Sequence, residues 1–137
     1  MELSRRAIPY TPFDRDLSDT TIALVSTAGV HLKSQEPFNT EGDSSYRVIP
    51  SDTPASDLMI THTHYDHSEA DRDVNCVFPI DRLREMVADK TIKGLNTDFY
   101  GMMGYTLRMK AVIDETGPEI AQKLERSSTE LVLLTGG

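Results

Sequence analysis

Residues 59–67 read MITHTHYDH: an apolar run that leads straight into His62, His64, Tyr65, Asp66 and His67. Imidazole and carboxylate are common ligands of zinc and iron. In an extended segment residues i and i+2 project to the same side, so His62 and His64 can aim at one ion. Asp66 and His67 can turn back towards that ion or a second one. Without a metal, the same side chains can orient a carboxylate or move protons, because imidazole titrates near neutral pH. His31 follows the Ala28-Gly29 turn and has Lys33 beside it, while Cys76 is the single cysteine, in DVNCVFP.

The H-x-H-x-D-H spacing is that of the metallo-β-lactamase superfamily, but the rest of the chain does not supply such a site. No histidine follows His67, and SEADRD stands where glycines usually follow the motif. A chain of 137 residues is also short for a two-sheet sandwich of that kind. His62, His64 and His67 therefore remain weak metal candidates. The plainer reading has them capping and hydrogen-bonding loop backbone around Asp66 and Asp71. For Cys76 the plainer reading is a small buried hydrophobe, and Arg72 is the one obvious cation to activate it. Lys33 reads most simply as a solvated surface lysine.

The elements that must position these residues are legible as apolar runs. TIALVST (21–27), DLMIT (57–61) and ELVLLTGG (130–137) read as buried strands. YRVIP (46–50) adds a short edge strand that stops at its proline. FPIDRLREMVADK (78–90) is a helix with Pro79 in its first turn and Ile80, Leu83, Met86 and Val87 on one face. Residues 107–127 form a second helix, which Pro118 kinks or restarts after Gly117. NTDFYGMMGYT (96–106) reads as an aromatic loop. Apolar strands separated by helices or long loops imply parallel pairing. The expected fold is α/β, a small open, mainly parallel sheet of three or four strands with helices packed on it. The expected organisation is an N-terminal arm over residues 1–20 and a single α/β domain over 21–137. Strands near 22–26, 58–61 and 131–135 should lie adjacent and parallel, bringing His31 and the 62–67 cluster to their shared C-terminal edge.

Composition narrows the function classes. A net charge of −8 argues against a nucleic-acid or anionic-lipid surface. No apolar run approaches the ~20 residues of a membrane span, and the N-terminal residues lack a signal-peptide core. One cysteine and six methionines point to the cytoplasm.

Several stretches, taken together and in order, resemble the selenoprotein B family of glycine, sarcosine, betaine and D-proline reductases. They are ALVSTAGVHLKSQEPF, GDSSYRVIPSDT, HYDHSEADRDVNCVFPIDRLREMV and YGMMGYT. The resemblance runs from about Pro9 to the last residue and outweighs the hydrolase reading. It implies reductive cleavage of an α C–N bond. A pyruvoyl group on a partner polypeptide captures the substrate amine, a selenolate attacks the α-carbon, and a thiol or selenol electron-donor protein regenerates the selenium. A selenol suits this role because an ordinary thiol, with pKa about 8.5, is mostly protonated at neutral pH. The resemblance assigns no role to His31, His62, Tyr65 or Asp66, which stand as catalytic candidates by their chemistry alone. It also implies that the VLLT strand runs into a selenocysteine or cysteine motif. The expectation is a chain truncated at a misread UGA codon after Gly137, inactive by itself, with a natural short subunit as the alternative. A metal- or ligand-binding module and a non-catalytic subunit of a larger complex stay open as other readings, as does a homo-oligomer.

Overall fold

The computed structural model describes residues 11–137; the first ten residues of the expected N-terminal arm lie outside them. Residues 15–20 of that arm pack onto the domain: Arg15 pairs with Glu130, and the buried Thr20 donates its hydroxyl to the Asp16 carbonyl at 2.8 Å.

The main sheet is built around β1 (Thr21–Ser26), whose Ile22, Ala23, Leu24 and Val25 are all buried. Continuous apolar residues suit a strand covered on both faces. On one side β1 pairs in parallel with β7 (Leu131–Thr135) along its whole length, from Ile22 opposite Leu131 to Ser26 opposite Thr135. On the other side it pairs in parallel with β5 (Gly94–Leu95) and then with β6 (Asp98–Met102). β6 in turn carries β3 (Tyr46–Pro50) as an antiparallel edge. The sheet is thus five-stranded, mixed and mostly parallel.

Three features depart from the sequence expectation. The segment read as an aromatic loop contains β6, which takes the sheet to five strands, beyond the expected three or four. Between Ile22–Leu95 and Val25–Tyr100 the partner strand spends five steps against three in β1. Asn96 and Thr97 form the resulting bulge, which breaks the strand's alternation. The strand at Leu58–Ile60 (β4) does not join the parallel sheet. It pairs antiparallel with β2 (Val30–Leu32) in a separate two-stranded ribbon. The ribbon lies over β6, where Gly101 lets the Val30 carbonyl approach so closely that a Cβ would sit 2.0 Å from it.

Helices cover both faces. α2 (Ile80–Ala88) buries Ile80 and Leu83, and Phe78 just before it meets Phe99 of β6 edge-to-face at 6.1 Å. Each such fully buried side chain contributes about 1.5–3 kcal/mol. On the opposite face, residues 109–125 form a nearly continuous helical run: α3 (Met109–Ala111), a π turn over Val112–Thr116, and α4 (Gly117–Glu125). The wide turn, with the Gly117 N–H reaching back to the Val112 carbonyl, accommodates Pro118, which brings no N–H of its own. Ile120 and Leu124 of α4 enter the core. A short α1 (Ser68–Arg72) follows the histidine loop. No helix among the described residues is long and apolar enough to cross a membrane.

Candidate functional site

The C-terminal ends of β1 and β7 are latched to the helical layer by one carbonyl. The Ser26 hydroxyl donates to Val77 C=O at 3.1 Å and the Thr135 hydroxyl donates to the same oxygen at 2.7 Å. The Ser26 oxygen also accepts from the Ala28 N–H at 3.2 Å. Beyond this latch the chain turns at Gly29, whose φ of +81° lies in the left-handed region that side chains other than glycine disfavour. Gly29 donates to the Met102 carbonyl at 2.8 Å and accepts from the Thr61 N–H at 2.9 Å. This one residue therefore ties the main sheet to the strand that carries the histidines.

His31 lies on β2 and is wholly buried. Its Nδ1–H donates to Leu32 C=O at 2.8 Å, and its Nε2 accepts from the Thr61 hydroxyl at 2.8 Å. Both ring nitrogens are thereby engaged within the protein, and burial pushes its pKa below the usual imidazole value. His31 fixes Thr61, the residue before His62.

Residues 62–67 curl over the latched strand ends. His62 is nearly buried, and its Nδ1 accepts from the His64 N–H at 3.0 Å. A neutral ring bonded in this way carries its proton on Nε2. Burial, then the neighbouring His64 and His67, lower its pKa. The Tyr65 ring stands edge-on to His62 at 4.8 Å and its hydroxyl donates to the Ala28 carbonyl at 2.9 Å. Burial, with Asp71 nearby, raises the Tyr65 pKa. His67 bridges the Asp71 carboxylate at 2.9 Å and the His62 carbonyl at 3.0 Å. His64 stacks on Tyr105 with ring centroids 3.6 Å apart. Asp66 is exposed and accepts from the Ser68 N–H at 3.0 Å, a bond that holds its carboxyl below the usual range.

The same loop meets the end of β7. The Thr27 N–H donates to the Thr135 carbonyl at 3.0 Å, and a Cβ on Gly137 would lie 2.4 Å from the Tyr65 ring. The surface where the loop meets the end of β7 is thus made of Thr27, His62, His64, Tyr65, Tyr105 and the Gly136-Gly137 backbone. The sequence pointed to the cluster but not to Thr27 or Tyr105; the one signal for Tyr105 was its place in a glycine-flanked aromatic stretch.

As a metal site the cluster is poorly arranged. His62 Nδ1 and both nitrogens of His67 are already bonded within the protein, and His64 is stacked away. Among the described residues no group of three or more His, Cys, Asp or Glu side chains is placed to hold an ion. Cys76 is exposed at the end of the 3-10 turn Val74–Cys76, not buried as its composition suggested. Arg72 is engaged with Glu69 at 2.8 Å.

Residues 3–137 match the model of the glycine/sarcosine/betaine reductase selenoprotein B (GRDB) family. The chain belongs to this family. Three relatives are similar to it. The D-proline reductase subunit gamma of Acetoanaerobium sticklandii is 44% identical over 128 residues, covering 93% of this chain and 53% of the relative. The glycine reductase complex component B subunit gamma of Carboxydothermus hydrogenoformans is 34% identical over 134 residues, covering 93% and 30%. The betaine reductase complex component B subunit beta of Peptoclostridium acidaminophilum is 28% identical over 127 residues, covering 88% and 29%. The chain therefore spans about half the length of the first and under a third of the other two. No solved structure matches it.

Proposed function

We propose that these residues form the substrate-side module of a B-type reductase subunit that cleaves an α C–N bond reductively. The supporting observation is the meeting of the β7 end with the histidine loop, where Gly137 approaches the Tyr65 ring, itself beside His62, too closely to admit a Cβ. The resemblance implies that the nucleophile motif follows this strand, and it would then start beside the Tyr65 ring. In such a complex a selenol or thiol would supply the carbon nucleophile, and a pyruvoyl group on a partner subunit would engage the substrate amine.

The four candidates then divide by what their polar atoms are free to do. His62 is the hydrogen-bond donor: its Nδ1 is taken by the His64 N–H, so a neutral ring keeps its proton on Nε2 and can donate a hydrogen bond from it to the departing nitrogen. Tyr65 is a positioning residue, with its hydroxyl committed to Ala28 and its ring supporting both His62 and Gly137. Asp66 shapes the turn into α1 through the Ser68 N–H. His31 holds Thr61 and so sets the start of the loop. His67, bonded to the His62 carbonyl, fixes the loop's far side. An aromatic and imidazole surface with a neutral donor fits the release of an amine.

The test replaces the matching half of the Acetoanaerobium sticklandii gamma subunit with this chain. The hybrid is assembled with its partner subunits and assayed for dithiol-dependent reduction of D-proline, glycine and betaine. Reduction of at least one substrate supports the proposal. An assembled, folded hybrid that reduces none contradicts it.

A further inference from the structure

β7 stands at the outer edge of the main sheet, with β1 its one strand partner among the described residues. The Thr135 carbonyl points to β1, where it accepts from the Thr27 N–H. Successive residues of a strand aim their backbone groups to opposite sides, so the N–H and C=O groups of Val132 and Leu134 face the open side. The faces of the strand are open as well: Leu134 is 73% exposed and Leu133 38% exposed, whereas Leu24 on the adjoining strand is fully buried. The strand LVLLT carries no charge, proline or bulge, the usual devices that protect an edge from pairing.

The occupant can be argued from length and charge. The matched region is 93% of this chain but 53% of the D-proline reductase gamma relative, so about as much polypeptide again accompanies the equivalent region there. In a sheet with parallel central strands, chain that leaves a strand through a crossover commonly returns beside it. A second copy is disfavoured, because each carries a net charge of −8 that opposes self-association. From the sheet edge and the family's length, and independently of the chemistry above, we propose that the open edge of β7 docks a further β-strand. That strand comes from polypeptide corresponding to the part of the D-proline reductase gamma relative that lies outside the matched region. It pairs with the backbone of Val132 and Leu134 and covers Leu133 and Leu134.

Hydrogen exchange tests this in two proteins. In this chain alone, run as a monomer checked by sedimentation, the Val132 and Leu134 amides should exchange almost as fast as in an unstructured peptide. The Leu133 amide, turned towards β1, should be protected. In the intact D-proline reductase gamma subunit, all amides of the equivalent segment should be protected, its outward pair roughly 100-fold slower than here. Fast exchange of that pair in the intact relative overturns the proposal. So does protection of Val132 and Leu134 in the isolated monomer. A dimer of this chain that Leu134→Lys dissolves assigns the edge to a second copy and overturns it equally.

Discussion

Replacing Gly29 by alanine tests whether a single backbone position couples the sheet to the histidine loop. Two costs combine. At φ +81° an L side chain is strained by about 1–2 kcal/mol. The new Cβ would also lie 2.5 Å from the Thr61 carbonyl oxygen and 3.2 Å from His62 Cβ, and relieving such an overlap costs about 1–3 kcal/mol. The carbonyl belongs to backbone fixed by the Thr61 N–H bond to Gly29, so it cannot swing aside as a flexible side chain would. The expected loss is roughly 3 kcal/mol, or about 10 °C in Tm for a domain of this size. Gly94→Ala serves as the control, because a Cβ there meets nothing within 4 Å and its smaller unfolded-state entropy makes it neutral or stabilising by about 0.4–1 kcal/mol. Urea unfolding followed by circular dichroism gives both values, and the His62 ring proton resonances report the loop. A Gly29→Ala loss below about 0.5 kcal/mol, or one matched by Gly94→Ala, would refute the coupling.

Ser26→Ala should destabilise more than Thr135→Val, because Ser26 alone also satisfies the buried Ala28 N–H; an orphaned donor costs about 1–3 kcal/mol, and urea midpoints rank the two. Stability should fall as pH drops below about 6.5, the ordinary imidazole value, since His31 and His62 both have lowered folded-state pKa values. There the unfolded chain binds more protons than the folded one, and the loss levels off below the folded pKa values. Unfolding curves at several pH values should show this slope, and His31→Gln should make it shallower. Zinc titration should give no saturable equimolar site, because the imidazole nitrogens of His62 and His67 are largely engaged by backbone and Asp71; tight stoichiometric binding lost in His64→Ala would contradict this.

The legible parts of the fold are those governed by local pattern. β1 and β7 are apolar runs of strand length, and α2 shows helical spacing after Pro79. Their parallel pairing matches the expectation drawn from the long connections between apolar runs, although long connections also join the antiparallel pairs β2–β4 and β3–β6. β4 was legible as a strand but not in its partnership, which depends on Gly101 admitting the Val30 carbonyl against β6. β6 was hidden because Gly101 and the Asn96-Thr97 bulge interrupt the apolar alternation. The histidine cluster stood out by residue type. Its hydrogen-bond assignments did not, since His62 and His67 owe theirs to bonds formed only when the loop curls. Tyr105 was out of reach for the same reason: its contact with His64 spans 41 positions in sequence and is made by tertiary packing.

The most direct measurement concerns His62 in the hybrid reductase assembled with its partner subunits. His62→Ala should fold, assemble and bind substrate, yet lower kcat by about 100-fold or more, the usual contribution of a preorganised hydrogen-bond donor at the reacting group. Tyr65→Phe, which keeps the supporting ring, should retain most of the activity. A His62→Ala complex with kcat within about threefold of the parent would contradict the placement of the reaction at this edge of the sheet.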